Sequence, residues 1–436
     1  MTRGTVETAI GIDVFFSQTK GIGGKLRTLP EDFIVNELFI HPPSMKDGPF
    51  TIVEVTATNW ETNLLVRELA DRLHISRKRV GFAGTKDKRS RSTQLMSFYK
   101  VAAKDLAQLT MKDVTLANIY RSNHPVKIGD LLGNRFGITV RNVASTISSS
   151  LIEDVVSCVV DHGGFPNFYG VQRFGVIRPV NYLIGKHILN GDFEQAVMSY
   201  VAYPMKGEDV ETYRLRERLE RTQDFAAALQ MYPPQLTFEK ALLNKLVVDP
   251  EDFVGALTAL PKNLLTMFVY AYQSYLFNRM LSERIKQHLP LNEALPGDFV
   301  LPVRNKVVSE EGILVTTANV EKINRQVQKG NAFVSGPLLG SDSLFSHGRM
   351  GEIEHSIVDD EHLRLQDFVI PDIPYLSSSG SRRSLLASVN HIEWKLEQDT
   401  LNENKQAVQL QFDLRKGCYA TALLREFMKS PDVRNY

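Results

Sequence analysis

Cysteine is scarce in this chain. Of 436 residues only two are cysteine, Cys158 and Cys418, far apart and each in an apolar stretch. No Cys-x-x-Cys pair exists, which excludes a zinc ribbon and a dithiol redox motif. Two buried free thiols in a reducing compartment are the expectation. The ten histidines are scattered, with no pair at the spacing a metal site needs, so no metal is expected. No run reaches the roughly 18 apolar residues that span a bilayer, so no membrane partner is expected. The first sixteen residues lack a basic segment followed by a long apolar run, which speaks against a secretory signal and for a cytoplasmic protein. An overall excess of charge is also missing. Lys plus Arg total 51 against 50 Asp plus Glu, a net charge of +1. Affinity for a polyanion must therefore come from local segregation of charge.

That segregation is present between residues 77 and 91. Seven cations (Arg77, Lys78, Arg79, Lys86, Lys88, Arg89 and Arg91) surround one anion, Asp87. A carboxylate repels phosphate, so its place in a polyanion-binding stretch suggests another task, as nucleophile or general base. The bland alternative is a turn-capping Asp paired with its own Lys neighbours, and nothing in composition or spacing alone overturns it.

Length suggests two or three domains. Residues 51–58 are rich in Val, Ile and Thr and read as a strand. Leucines and alanines at helical spacing make 62–74 an amphipathic helix. Residues 80–83 and 94–101 read as strands, leaving Asp87 on the loop between them. Residues 32–37 read as a strand with Phe33 and Val35 inward and Glu31, Asp32 and Glu37 bridging basic neighbours. Residues 137–140 are a strand. A helix follows, with Ser148 as N-cap and Gly163 as its stop. Helical patterns dominate from 182 to 288. Strand patterns occupy 299–315, 392–396 and 407–414, and a short helix 423–427. Residues 377–381, Ser-Ser-Ser-Gly-Ser, resemble a linker. The expectation is an α/β (α+β) fold with residues 1–163 and 379–436 forming one domain and a helix-rich insertion at 164–378. Tyr270, Tyr272, Tyr275 and Phe277 are expected in a helix core rather than as a stacking platform. Arg382 and Arg383 are either phosphate contacts or a solvated surface pair.

Six short motifs, in order, resemble the TruD family of tRNA pseudouridine synthases, in its longer archaeal and eukaryotic-like branch. They are residues 31–37 (Glu-Asp-Phe-Ile-Val-Asn-Glu), 81–88 (Gly-Phe-Ala-Gly-Thr-Lys-Asp-Lys), 133–136 (Gly-Asn-Arg-Phe), 167–175 (Asn-Phe-Tyr-Gly-Val-Gln-Arg-Phe-Gly), 271–278 (Ala-Tyr-Gln-Ser-Tyr-Leu-Phe-Asn), and 419–421 (Tyr-Ala-Thr) with Leu424, Arg425 and Glu426 close behind. Ser90 and Ser92 depart from the Ala and Thr usual there, without touching Asp87. The resemblance implies a pseudouridine-synthase catalytic domain with a bent mixed sheet, interrupted by a TRUD insertion domain. It implies tRNA as partner, typically its uridine-13 as target, and no cofactor. Asp87 matches the family's catalytic aspartate, and Arg27 its nearby basic residue, either orienting Asp87 or contacting phosphate. Lys86 and Lys88 would hold the RNA backbone. Phe136 would line the uracil pocket and stack on the flipped base. Asn134 has an amide that can meet both a donor and an acceptor on uracil, and Gln94 would belong to the pocket wall. Asn167, Gln172 and Arg173 would shape the cleft from the insertion side, the alternative for Arg173 being a structural carboxylate partner. A monomer is expected. The competing readings are a non-catalytic RNA-binding or RNA-folding protein of the same fold, and a glycoside or nucleoside hydrolase. The hydrolase needs a partner acid, and the sequence around Asp87 offers only cations.

Overall fold

The computed structural model describes residues 5–304 and 307–436. It is a mixed α/β fold in two compact units. One comprises residues 17–165, 387–430 and 435–436, the other residues 1–16, 166–386 and 431–434. The expected boundaries were 163/164 and 378/379. The second unit extends further because Ser381–Ser384 is a strand that pairs with Ala332–Leu338. Its share of the N-terminus follows from Ile10 and Gly11, whose carbonyls accept from Asn278 Nδ2 (3.0 Å) and Ser282 Oγ (2.8 Å).

The first unit is built on an eight-stranded sheet. In chain order its strands are β1 (Phe33–Phe39), β2 (Phe50–Thr58), β3 (Val80–Phe82), β4 (Arg91–Tyr99), β5 (Val114–Ser122) and β6 (Leu131–Ala144). A C-terminal hairpin, Val389–Gln398 with Lys405–Arg415, completes it. Across the sheet the order is hairpin, β6, β1, β4, β2, β5, with β3 beside β4. The β1–β4 pair is parallel and the other pairs are antiparallel. The parallel contact is short, joining only Ile34, Val35 and Asn36 to Arg91, Ser92 and Thr93.

Side chains alternate between the faces of a strand, and residues paired across strands share a face. Val35 faces Phe136, and Phe136 faces Phe412. The same face therefore carries Phe33, Val35, Phe136, Ile138, Leu410 and Phe412. Helices Ser149–Asp161 and Ala420–Met428 cover this half with Ile152, Val155, Val159, Leu423 and Phe427. Ser148 caps the first of these through Leu151 N–H, and Gly163 follows it at φ +71°. On β2 and β4 the same face carries Val53, Val55, Ala57, Met96 and Phe98, covered by Leu65, Val66 and Leu69 of helix Thr62–Arg72. Between the two apolar patches lies a polar strip formed by Glu37, Ser92, Gln94 and Asn134.

The second unit has a core around helix Lys262–Lys286, which buries residues on all sides, as central helices do. Tyr272 and Phe277 are buried, Tyr275 half-buried and Tyr270 exposed. The serine stretch at 377–381 is no linker. Ser377 Oγ accepts from Ile370 N–H at 2.9 Å and Ser378 Oγ from Gln273 Nε2 at 3.0 Å, so these hydroxyls fix a corner. Arg382 and Arg383 are neither solvated nor presented to phosphate. Arg382 donates to Ser335, Leu344 and Ser346, and Arg383 donates to Asn167. Both cysteines are half-buried, less enclosed than expected, with burial pushing the Cys158 thiol up. Among the described residues no helix is long and apolar enough to cross a membrane.

Candidate active site

The site is assembled from the loop between β3 and β4, the segment before β1, and the polar strip of the sheet. Beneath β3 the chain at Val126 comes very close. A Cβ on Gly81 would lie 2.3 Å from Val126 O, so only glycine fits there. Gly129 N–H then bonds Ala83 O at 2.8 Å, fixing the point where the loop leaves the strand.

The loop is held on both sides of Asp87. Lys86 N–H donates to Thr62 Oγ1 at 2.7 Å. Ser90 Oγ donates to Asp87 O at 2.7 Å, and Ser90 O accepts from Asn59 N–H at 2.9 Å. Ser90 is buried, so its hydroxyl adds an internal bond to the loop. Asp87 itself stays outward, its side chain 58% exposed.

Arg27 meets that carboxylate. Its Nη2 donates to Asp87 Oδ2 at 2.8 Å, and its guanidinium lies 4.2 Å above the centroid of the Phe33 ring. The guanidinium stacks where the ring's negative face attracts it. Burial pushes the guanidinium below the usual arginine value, the Asp87 carboxylate opposes that, and nearby Arg89 adds to it. The backbone at Arg27 is left-handed, φ +54°, and its carbonyl accepts from Arg89 Nη2 at 3.0 Å. The segment is positioned by a bridge between Lys25 and Arg141 of β6. Asp32 takes both Leu29 N–H and the Arg141 guanidinium at 2.8 Å. Asp32 thus has the structural role expected of it.

Lys86 is placed otherwise than expected. Its ammonium turns inward to Glu37 Oε1 at 2.6 Å, with side-chain exposures of 6% and 1%. In this structure it is not presented to phosphate. Arg79 is likewise engaged, through Tyr99 O and Lys100 O. Among the described residues, Arg77, Lys78, Lys88 and Arg91 have no acceptor, and Lys88 and Arg91 are exposed beside Asp87.

Phe136 is 7% exposed, stacked on Phe412 (centroids 5.4 Å apart) and edge-on to Phe33 at 6.3 Å. It shares the Phe33 ring with Arg27. Gln94 is buried and Asn134 half-buried, and each has an amide oxygen with no partner. Unmet buried acceptors are rare and need a reason.

Asn167, Gln172 and Arg173 belong to the second unit. There Asn167 Nδ2 donates to Ser384 O at 3.0 Å and its Oδ1 accepts from Arg383. Arg173 lies 5.2 Å from the Tyr169 ring centroid and Gln172 is exposed. Sequence reasoning missed Thr62 and Phe33 as parts of the site. It expected Glu37 to bridge a basic neighbour, as it does, but assigned Lys86 to the RNA backbone rather than to that carboxylate. The inward phase of Phe33 on β1 was the other signal available.

A family model described as tRNA pseudouridine synthase D (TruD) matches residues 9–427. The curated protein "Probable tRNA pseudouridine synthase D" of Methanococcoides burtonii is 42% identical over 430 residues, 97% of each chain. Its namesake in Pyrococcus abyssi is 36% identical over 416 residues, 95% of this chain and 98% of the relative. The crystal structure of the Methanosarcina mazei TruD protein matches with a TM-score of 0.88 at 39% identity, over 99% of both chains.

Proposed function

This chain belongs to the tRNA pseudouridine synthase D family, and on that premise we propose that Asp87 is its catalytic carboxylate and uridine-13 of tRNA its target. It is a tRNA pseudouridine synthase, an isomerase. The observation that carries the assignment of Asp87 is its ion pair with Arg27 at 2.8 Å, on a loop held at both ends and open at its apex.

The reaction breaks the N1–C1′ bond of uridine, turns the uracil and joins C5 to C1′. N1 ends with a proton and C5 loses one, so the substrate and product are isomers and no redox partner is required. A carboxylate can begin this by attacking C1′, by removing the C2′ proton, or by adding to C6. Each route starts from the ionised group, and Arg27 holds that group in one orientation. The target base must first leave its stack. Lys88 and Arg91 would take the flanking phosphates. Phe136 and Phe33 would form the apolar floor. The unmet amide oxygens of Gln94 and Asn134 are acceptors of the kind that a uracil N3–H satisfies.

The test compares wild-type protein with Asp87→Asn on unmodified tRNA transcripts, with pseudouridine mapped by position. Wild type is expected to modify uridine-13 and the variant to bind tRNA without modifying it. Equal modification by both proteins would remove Asp87 from the chemistry. Binding without modification by either would favour the RNA-folding reading.

A further inference from the structure

We infer that the Glu37–Lys86 ion pair is a positioning device for Asp87, making both residues determinants of turnover rather than of tRNA affinity. The inference rests on Asp87 being the catalytic carboxylate.

The pair joins residues 49 apart in sequence and is almost wholly enclosed. A buried ion pair is a poor way to gain stability, because apolar side chains of similar volume do as well. Its place therefore needs another reason. Glu37 is mounted rigidly. Its backbone pairs with Asn134 of β6, and its Oε2 accepts from Leu95 N–H of β4 at 3.0 Å. The remaining oxygen, Oε1, takes the Lys86 ammonium. Lys86 is thereby fixed by its side chain as well as by its backbone bond to Thr62. Asp87 is the next residue along. Its own carbonyl is fixed by Ser90, so the loop is tied down immediately before and after the carboxylate. What remains free at Asp87 is its side chain, and Arg27 directs that. A ligand to phosphate would not be turned into the sheet, so Lys86 serves orientation and leaves the RNA backbone to its exposed neighbours.

The decisive variant removes both charges at once, Glu37→Gln with Lys86→Met, so that no unpaired charge is left buried. The glutamine keeps an oxygen for Leu95 N–H. Three quantities are read: the thermal midpoint, tRNA affinity at two salt concentrations, and the single-turnover rate of pseudouridine formation at saturating protein. The expected outcome is a folded protein with affinity and salt dependence close to wild type. Its rate falls ~30–100-fold, the scale expected when a reacting group is misplaced by about an ångström. Glu37→Asp, which retains both charges but draws the anchor back by one methylene, is expected to slow the reaction ~10-fold on the same reasoning. It keeps the test decisive should the double variant not fold. A rate within twofold of wild type in either folded variant overturns the inference. So does a loss of affinity with a shallower salt dependence, which would make Lys86 a phosphate contact. If the wild-type protein forms no pseudouridine, the reading of Asp87 fails first and this inference falls with it.

Discussion

Arg27→Met separates two roles that Arg27 could play, orienting Asp87 or gripping phosphate. The stability side can be worked from the structure. Asp87 is 58% exposed, so solvent screens the ion pair, which is worth about 0.5 kcal/mol. The guanidinium 4.2 Å above Phe33 adds about 1 kcal/mol. Against these, Arg27 Nε is buried without an acceptor, and burial disfavours the charge itself. Methionine removes both penalties. The left-handed backbone at φ +54° costs the same for either side chain, so it cancels. The net change is about 1 kcal/mol or less, a shift of roughly 2–4 °C in thermal midpoint.

Turnover should respond quite differently. Arg27 is the only group among the described residues that hydrogen-bonds the Asp87 carboxylate. Without it the carboxylate samples several rotamers, and few of them address one atom of a flipped nucleoside. A loss of ~10²-fold is expected, equivalent to about 2.7 kcal/mol of transition-state stabilisation. Arg27→Lys keeps the charge but loses the planar fork and much of the ring stacking, and should fall between, at ~10-fold. The assay is single-turnover pseudouridine formation on an unmodified transcript at saturating protein, beside filter binding at several salt concentrations. A Met variant within threefold of the wild-type rate would refute the orienting role. So would a normal rate at saturation with a salt slope lower by about one, the sign of one lost phosphate contact.

Two other expectations follow from neighbouring groups. Lys88 is exposed beside Asp87, so Lys88→Ala should weaken tRNA binding and lower the slope of log affinity against log salt by about 0.9, with a smaller effect on rate at saturation. A slope equal to wild type would remove Lys88 from the phosphate contacts. The second concerns acid stability. Burial alone would raise the Asp399 carboxyl, but the N–H groups of Asn142 and Leu401, the Asn402 amide and Arg141 outweigh it and hold it at about 2. Because the folded value lies below the unfolded one, this stabilisation is complete above about pH 4 and is lost as pH falls towards 2. Wild type should lose about 1–2 kcal/mol more than Asp399→Asn over that window, after allowance for solvent screening. Parallel denaturation curves for the two proteins at pH 5 and pH 2.5 would show the carboxylate to be silent.

What could be read in advance followed from periodicity and from ordered motifs. Alternation on 32–37 placed Phe33 and Val35 inward, and both are in the core. Leucines at helical spacing marked Thr62–Arg72 to within two residues. The 114–122 strand escaped notice because β5 lies at the edge of the sheet, where its side chains are mostly exposed and the apolar alternation is weak. Charge was the least legible property. Seven cations in fifteen residues read as one basic surface, yet Lys86 and Arg79 turn their charges onto protein acceptors. Arg382 and Arg383 do the same in the second unit. A sequence shows that a side chain is charged, while its direction depends on which distant carbonyl or carboxylate lacks a partner. The serine stretch misled for the same reason, since its hydroxyls are ligands for distant backbone and amide groups.

The placement of Asp87 can be followed back to a break in the sheet. β1 and β4 part after Asn36 and Thr93, so Leu95 N–H loses the backbone acceptor that a continuing parallel pair would supply. A buried N–H cannot be left without one. Glu37, the next residue of β1 after the split, supplies its carboxylate. A carboxylate there is itself buried and requires a cation. Lys86 is that cation, and its backbone neighbour is Asp87. Close to that parting lie the amide oxygens of Gln94 and, across β1, Asn134, which no protein donor meets, between two apolar patches each covered by helices. On this reasoning the inward lysine and the outward aspartate have a single origin. A longer β1–β4 contact would satisfy Leu95 through the backbone, free the Glu37 carboxylate from that bond, and loosen the anchor of the loop that presents Asp87.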